Sequence, residues 1–216
     1  MRLDGGRRIE MMRCMRVAIP VFPGVEELDA IAPLEVFGIA RGAGLDVTVE
    51  LVTHIPNSPV RCFHGLEMSG LRGFSGNYDL VVVPGGAWIS GAATGVRLAV
   101  DEGSLPRLLR QQYERNAIIA SVCTGALLLA AAGLLDGIPA TTHHSAIEDL
   151  KAAGIEVLSE RVVDAGRILT SGGIASGLDL SLWILERTFG AGPAARVAEI
   201  LEYERRGGIF LTGGQA

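Results

Sequence analysis

The stretch Ile118-Ile119-Ala120-Ser121-Val122-Cys123-Thr124-Gly125, continued by Ala126-Leu127-Leu128-Leu129-Ala130-Ala131-Ala132-Gly133, decides the fold. An apolar strand runs directly into a cysteine, a small polar residue and a glycine, and an apolar helix follows. Cys123 therefore sits on a strand-to-helix turn. Such a turn lifts a side chain clear of the chain and sets it beside the unpaired N–H groups of a helix start, where those groups and the helix dipole favour thiolate over thiol. The spacing lacks the first glycine of G-x-S-x-G, so the turn is a relative of that nucleophile elbow and not a match to it. By residue type alone a free cysteine packs as a small hydrophobe; the turn sets Cys123 apart.

Working outward, Arg16 to Phe22 and Asp46 to Thr53 read as strands separated by a helical segment. Pro20 counts against a central position for the first, because it cannot donate to a ladder. Residues 56–78 are punctuated by glycine and proline and predict short strands and turns. Leu80 to Val83 is a fully buried strand that ends in Pro84-Gly85-Gly86, and helical patterns cover roughly 95–115. Beyond the elbow, Ser145 to Ala153 reads as a short helix. Glu156 to Ser159, Arg161 to Ala165 and Arg167 to Ser171 read as strands, with a turn at Ala165-Gly166. Ser176 and Asp179 resemble a capping box that opens a helix carrying Leu178, Leu182, Leu185 and Phe189, and a last helix turns Val197, Ile200 and Leu201 inward. Apolar strands alternating with helices imply an α/β sandwich with a mostly parallel sheet, whose functional residues gather at the carboxyl ends of the strands.

The 216 residues suffice for a single α/β domain, with 49% hydrophobic and 20% charged residues. Residues 1–15 read as a disordered leader, 16–204 as the domain and 205–216 as a short tail. A net charge of −5 and no basic cluster interleaved with aromatics argue against nucleic acid as a partner. No apolar run is long enough to span a bilayer, so no membrane is expected. Cys14, Cys62 and Cys123 show no C-x-x-C spacing, which points to reduced thiols in a cytoplasmic setting.

Three groups stand out as partners for Cys123. Asp29 falls on the same helical face as Val25, Leu28 and Ala32, whereas Glu26 and Glu27 point to solvent. A carboxylate on an inward stripe is costly unless paired or protonated. Pro33 adds to the oddity, since it cannot return a hydrogen bond to the Asp29 carbonyl. Pro84-Gly85-Gly86 offers close backbone approach and N–H groups for a developing anion. His143, in Ala140-Thr141-Thr142-His143-His144, returns toward the site after a helix. No histidine has a cysteine or carboxylate at ligand spacing, so neither a metal nor another cofactor is expected.

These residues carry a resemblance. Ser121-Val122-Cys123-Thr124-Gly125, Ala131-Ala132-Gly133-Leu134-Leu135-Asp136-Gly137, Ala140-Thr141-Thr142-His143 and Leu169-Thr170-Ser171-Gly172-Gly173-Ile174 are similar to the DJ-1/PfpI superfamily. Gly24-Val25-Glu26-Glu27-Leu28-Asp29 and Pro84-Gly85-Gly86 fit it in the right order. The likeness spans Arg16 to Tyr203. It implies a flavodoxin-like fold, a homodimer and a nucleophilic cysteine at the elbow. Aspartate at Asp29 and threonine at Thr124 match the branch that hydrates isocyanides. PfpI-type peptidases place a histidine after the cysteine, and class I glutamine amidotransferases need a late His-x-Glu; neither is here. That branch has tryptophan where this chain has His144, which leaves the pocket shape open.

The resemblance implies a small-molecule substrate and a cofactor-free lyase reaction. Cys123 would attack the terminal carbon of R–N≡C, Asp29 would supply a proton, and water would release an N-formamide. Thr124 and the N–H groups of Gly85, Gly86 and Gly125 would polarise the bound group, with His143 and Ile174 in the pocket. The alternative is a non-enzymatic ligand or redox sensor of the kind joined to a DNA-binding module in AraC-type regulators. That module needs roughly 100 further residues, which a short tail does not supply.

Overall fold

The computed structural model describes residues 14–88 and 94–212. In chain order the elements are β1 (Met15–Val21), α1 (Glu27–Gly42), β2 (Val47–Thr53), β3 (Val60–Arg61), β4 (Glu67–Met68), β5 (Arg72–Gly73), β6 (Leu80–Val83), α2 (Val96–Glu102), α3 (Ser104–Glu114), β7 (Ile118–Ser121), α4 (Gly125–Ala131), α5 (Ile147–Ala152), β8 (Val162–Asp164), β9 (Ile168–Ser171), α6 (Ser176–Phe189), α7 (Ala191–Ile200) and β10 (Ile209–Leu211). A single 3-10 turn, His144–Ala146, precedes α5.

Eight strands form one sheet in the order β10-β8-β9-β7-β6-β1-β2-β5, parallel throughout except for the β8–β9 pair. Helices α1, α6 and α7 pack together on one face and α2, α3, α4 and α5 on the other. The central strands are buried on both faces: every residue of β6 and β9 is buried. This is the flavodoxin-like arrangement expected of unbroken apolar strands. Pro20 is accommodated because the β1–β6 register covers only Val17↔Leu80 and Ala18↔Val81 and has ended before it.

Several elements differ from the sequence reading. The helical stretch 95–115 divides into two helices, because Gly103 takes φ +65° and caps α2 before α3 restarts. Pro106 is tolerated there, in the first turn, where no N–H is needed. Glu156 to Ser159 makes only an isolated bridge, Ala140↔Val157. The capping box is absent: Ser176 Oγ donates to the Gly173 carbonyl at 3.0 Å. Asp179 instead accepts from Arg161 Nε at 2.7 Å, Tyr203 Oη at 3.0 Å and Arg206 N at 2.9 Å. Ile200, expected inside, is 52% exposed. Within the segment read as a tail, β10 pairs with β8 through Ile209↔Val162. Met15, read as the end of a leader, opens β1; residues 1–13 and 213–216 lie outside the described residues.

Candidate active site

The carboxyl ends of β1, β6, β7 and β9 converge on Cys123. Between β7 and α4 the chain must turn in three residues, and Cys123 takes φ +58° to do so, a conformation that costs an L residue energy and persists only where the surroundings enforce it. They do so on three sides. Cys123 N donates to the Gly172 carbonyl at 2.9 Å, and Thr142 Oγ1 donates to the Cys123 carbonyl at 2.9 Å. Gly125 has no room for a side chain, because a Cβ there would run into the Val83 carbonyl.

Asp29 is completely buried in the first turn of α1. The stripe used to place it was out of phase. The helix begins at Glu27, so Val25 is not on it, forming instead a bridge to Gly86, and Leu28 is 42% exposed. Asp29 Oδ2 accepts from Gly85 N at 2.9 Å, whereas Oδ1 is buried without a hydrogen-bond partner. The carboxyl faces the Cys123 thiol, and each shifts the other. Burial pushes Asp29 up to about 7, against the pull of the Gly85 N–H. Burial, then the Asp29 charge, push Cys123 up to about 12, against the N–H groups of Ile174 and Thr124. The two form one coupled system. Its first ionisation falls near neutrality, and its second is forced high because a buried pair resists a second charge. The thiolate is therefore not set by the helix start alone, as the sequence suggested; it depends on where Asp29 leaves its proton.

The N–H groups proposed for polarising a bound group are already engaged. Gly85 N donates to Asp29, Gly86 N to Thr124 Oγ1 at 2.9 Å, and Gly125 N to the Val122 carbonyl at 3.0 Å. Thr124 Oγ1 also donates to the Gly86 carbonyl at 3.0 Å, so its hydroxyl clasps Gly86. The backbone donors that reach the sulfur are those of Thr124 and Ile174. Ile174 takes φ +30°, an outlier for a β-branched residue, and that strain sits at the donor.

Above the sulfur lies a cavity of about 310 Å³ lined by Glu26, Phe63, Gly86, Ala87, Trp88, Cys123, Thr124, His143, Ser145 and Ile174. Gly85 and Gly125 do not line it: a Cβ at Gly85 would meet Thr124 and Asp29 Oδ2, and one at Gly125 the Val83 carbonyl. His143 Nδ1 lies 2.6 Å from Ser145 Oγ and accepts from Ser145 N, which leaves Nε2 to carry the proton of a neutral ring. Burial, then neighbouring His144, hold that imidazole below the usual histidine range. His144 itself is exposed and does not line the cavity, so the side chain at this position does not shape its wall. An indole is supplied instead by Trp88, whose Nε1 donates to Asp149 at 2.8 Å.

Glu26 and Glu27 do not point to solvent. Glu26 lines the cavity with its side chain only 13% exposed. Glu27 Oε1 accepts from His64 N at 2.8 Å and Leu66 N at 3.3 Å, tying α1 to the β3–β4 hairpin. With His64 these carboxylates bring ligand atoms within 4.8 Å of one another, a grouping that can hold a cation and that sequence spacing did not reveal. The hairpin brings His64 to them, and pairing across 37 residues leaves no local signal.

Residues 15–187 match the sequence profile of the DJ-1/PfpI family. The chain is 34% identical over 191 residues to an isonitrile hydratase of Pseudomonas putida, covering 88% of this chain and 78% of that protein. It is 30% identical to a Parkinson disease protein 7 homolog of Danio rerio, covering 84% and 94% respectively. Among solved structures, a ThiJ/PfpI family protein from Pseudomonas syringae superposes with a TM-score of 0.78 at 25% identity, covering 95% of this chain and 83% of that one.

Proposed function

The chain belongs to the DJ-1/PfpI family, and from that premise we propose that it hydrates isocyanides to N-formamides through a covalent adduct on Cys123. The observation that carries this reading is the buried Asp29 carboxyl, with an unpartnered oxygen, set against the elbow cysteine on the floor of a mostly apolar cavity. Between its two ionisations the pair holds one proton and one negative charge. The form with the proton on Asp29 and the charge on sulfur is the reactive one.

In that form the thiolate attacks the terminal carbon of R–N≡C and the S–C bond forms. Asp29 delivers its proton to the same carbon, giving the thioimidate R–N=CH–S–Cys and an aspartate. Water then adds across C=N, its hydroxyl going to carbon and a proton to nitrogen. As the C–S bond breaks, Asp29 takes the hydroxyl proton, the carbonyl forms, and R–NH–CHO leaves with thiolate and acid restored. The N–H groups of Thr124 and Ile174 stabilise charge on sulfur in both half-reactions. The Thr124 hydroxyl positions Gly86, and the neutral His143 ring walls the cavity.

We further take the chain as a cytoplasmic homodimer. Its three cysteines are free thiols, and Leu28, Phe63 and Leu66, each more than 40% exposed around the start of α1 and its hairpin, offer apolar surface to a second copy. Among the described residues no helix is long and apolar enough to cross a membrane.

The test is formamide release from a panel of aliphatic and aromatic isocyanides. Turnover by the wild type, absent in Cys123→Ala, supports the reading. No formamide from any member overturns it in favour of a ligand-sensing domain.

A further inference from the structure

The mechanism uses the floor of the Cys123 cavity and leaves one lining group unexplained. Glu26 is a carboxylate among walls supplied chiefly by Phe63, Trp88 and Ile174. Its side chain keeps 13% of its exposure, so its charge is largely stripped of water. Its nearest charged neighbours are of the same sign: Glu27 follows it, and Asp29 is one helical turn on. The facing group of opposite sign is His64, whose Nε2 lies 3.5 Å away on a side chain 67% exposed, and an imidazole is a cation only when protonated. Among the described residues no lysine or arginine lines the cavity. Arg97 is close by, but its guanidinium lies over the Trp88 ring at 4.1 Å and is not part of the wall.

A desolvated anion with no permanent counter-charge, placed beside two aromatic rings in a cavity open to solvent, is the donor set that recognises an organic ammonium group. Carboxylate and ring faces attract the same cation, and the remaining apolar wall suits the methyl or methylene groups around it. We propose that this cavity takes a ligand carrying an ammonium group, with the cation held between Glu26 and the Phe63 and Trp88 rings and the other end of the molecule directed at Cys123. For the hydratase reading, on which only the identity of the reacting group rests, the substrate is an isocyanide bearing a basic amine or quaternary ammonium on a short chain.

The first experiment needs no turnover. Protection of Cys123 from iodoacetamide, followed by mass spectrometry of its peptide with chelator present, is measured with choline and with its neutral isostere 3,3-dimethylbutan-1-ol. Choline protects wild type at about tenfold lower concentration than the isostere. That preference shrinks several-fold in Glu26→Gln, where only the rings still favour the cation, and returns in Glu26→Asp. Equal protection by the two probes in wild type, or a choline preference undiminished in Glu26→Gln, overturns the proposal. The chelator ensures that a metal ion on Glu26, Glu27 and His64 cannot produce the result. A second arm compares kcat/KM for a dimethylaminoalkyl isocyanide and the branched alkyl isocyanide of the same length, with the amine favoured in wild type only. If neither is turned over, the hydratase reading fails while the protection arm still decides whether the cavity selects a cation.

Discussion

Asp29 and Cys123 face each other with one carboxyl oxygen fixed and the other free. Oδ2 is held by the Gly85 N–H at 2.9 Å, and Oδ1 is buried without a hydrogen-bond partner beside the thiol. The arrangement orients the acid without neutralising it. Because the two groups share a single proton across the neutral range, nucleophile and acid are one titrating unit.

That coupling sets the pH dependence of reactivity. Below about 7 the pair holds two protons and no thiolate; above it one proton is lost, and the second loss is deferred to about 12. Alkylation of Cys123 and formamide release both rise through a midpoint near 7 and stay level to at least pH 9. Asp29→Asn cuts turnover by about 10²- to 10⁴-fold, the usual contribution of a general acid–base group. It also moves the alkylation midpoint up from about 7, since the lone thiol keeps the burial that raises it and loses the acid whose proton it shares. A midpoint unmoved by Asp29→Asn, read from the alkylation rate against pH, removes the pairing from the mechanism.

The same shift has a consequence for stability. A carboxyl whose folded pKa lies above its unfolded value stabilises the fold at low pH, fully below about 4, and loses that contribution as pH rises through about 7. The ceiling is about 4 kcal/mol, from roughly three pKa units at about 1.4 kcal/mol each. Asp29→Asn does not ionise, so its melting temperature gains on that of the wild type between pH 5 and pH 8. A difference that is constant across that range shows that Asp29 does not carry the proton assigned to it.

Thr142 tests what holds the elbow. Its hydroxyl donates to the Cys123 carbonyl at 2.9 Å, and both groups are buried. Thr142→Val keeps the shape and leaves that carbonyl without its donor, a cost of about 1–2 kcal/mol. Denaturant melts give the stability loss. Cys123 alkylation slows in parallel, because a relaxed φ carries the sulfur away from the N–H groups of Thr124 and Ile174. Unchanged alkylation after the expected loss of stability makes Thr142 a contributor to folding alone.

The sequence revealed those parts of the site that are local. Strand, cysteine and helix are contiguous, so the elbow could be read directly, and an acid among apolar residues marked Asp29 even though the stripe was phased from Val25, which lies outside the helix. What was lost depends on returning chain. Glu26 and Glu27 were assigned to solvent because helical spacing cannot foresee the β3–β4 hairpin folding over them. The N–H groups of Gly85 and Gly86, which follow β6, look free in sequence, but Asp29 and Thr124, distant along the chain, occupy them. The donor that serves the sulfur comes from Ile174, through a backbone angle that no residue preference predicts. Glu156 to Ser159 has strand composition, yet β8 and β9 pair with each other and fill the place beside β7, leaving it only a bridge.

Glu26 ties the cation proposal back to the nucleophile. Its charge is one of the causes raising Asp29, after burial and in the direction opposite to the Gly85 N–H. An ammonium bound at Glu26 therefore offsets that charge and makes the first ionisation of the pair easier, so a cationic ligand activates the thiol it approaches. Glu26→Gln removes the same charge permanently. The midpoint of Cys123 alkylation moves to lower pH by a few tenths to about one unit, as for any like charge withdrawn from a nearby carboxyl. Saturating choline produces a shift in the same direction in wild type and none in Glu26→Gln, read from the ultraviolet absorbance of the thiolate because bound choline shields Cys123 from the alkylating reagent. Alkylation profiles that superpose for wild type and Glu26→Gln without ligand show that Glu26 and Asp29 are electrostatically independent. In that case a cation at Glu26 contributes binding alone and does nothing to activate the thiol.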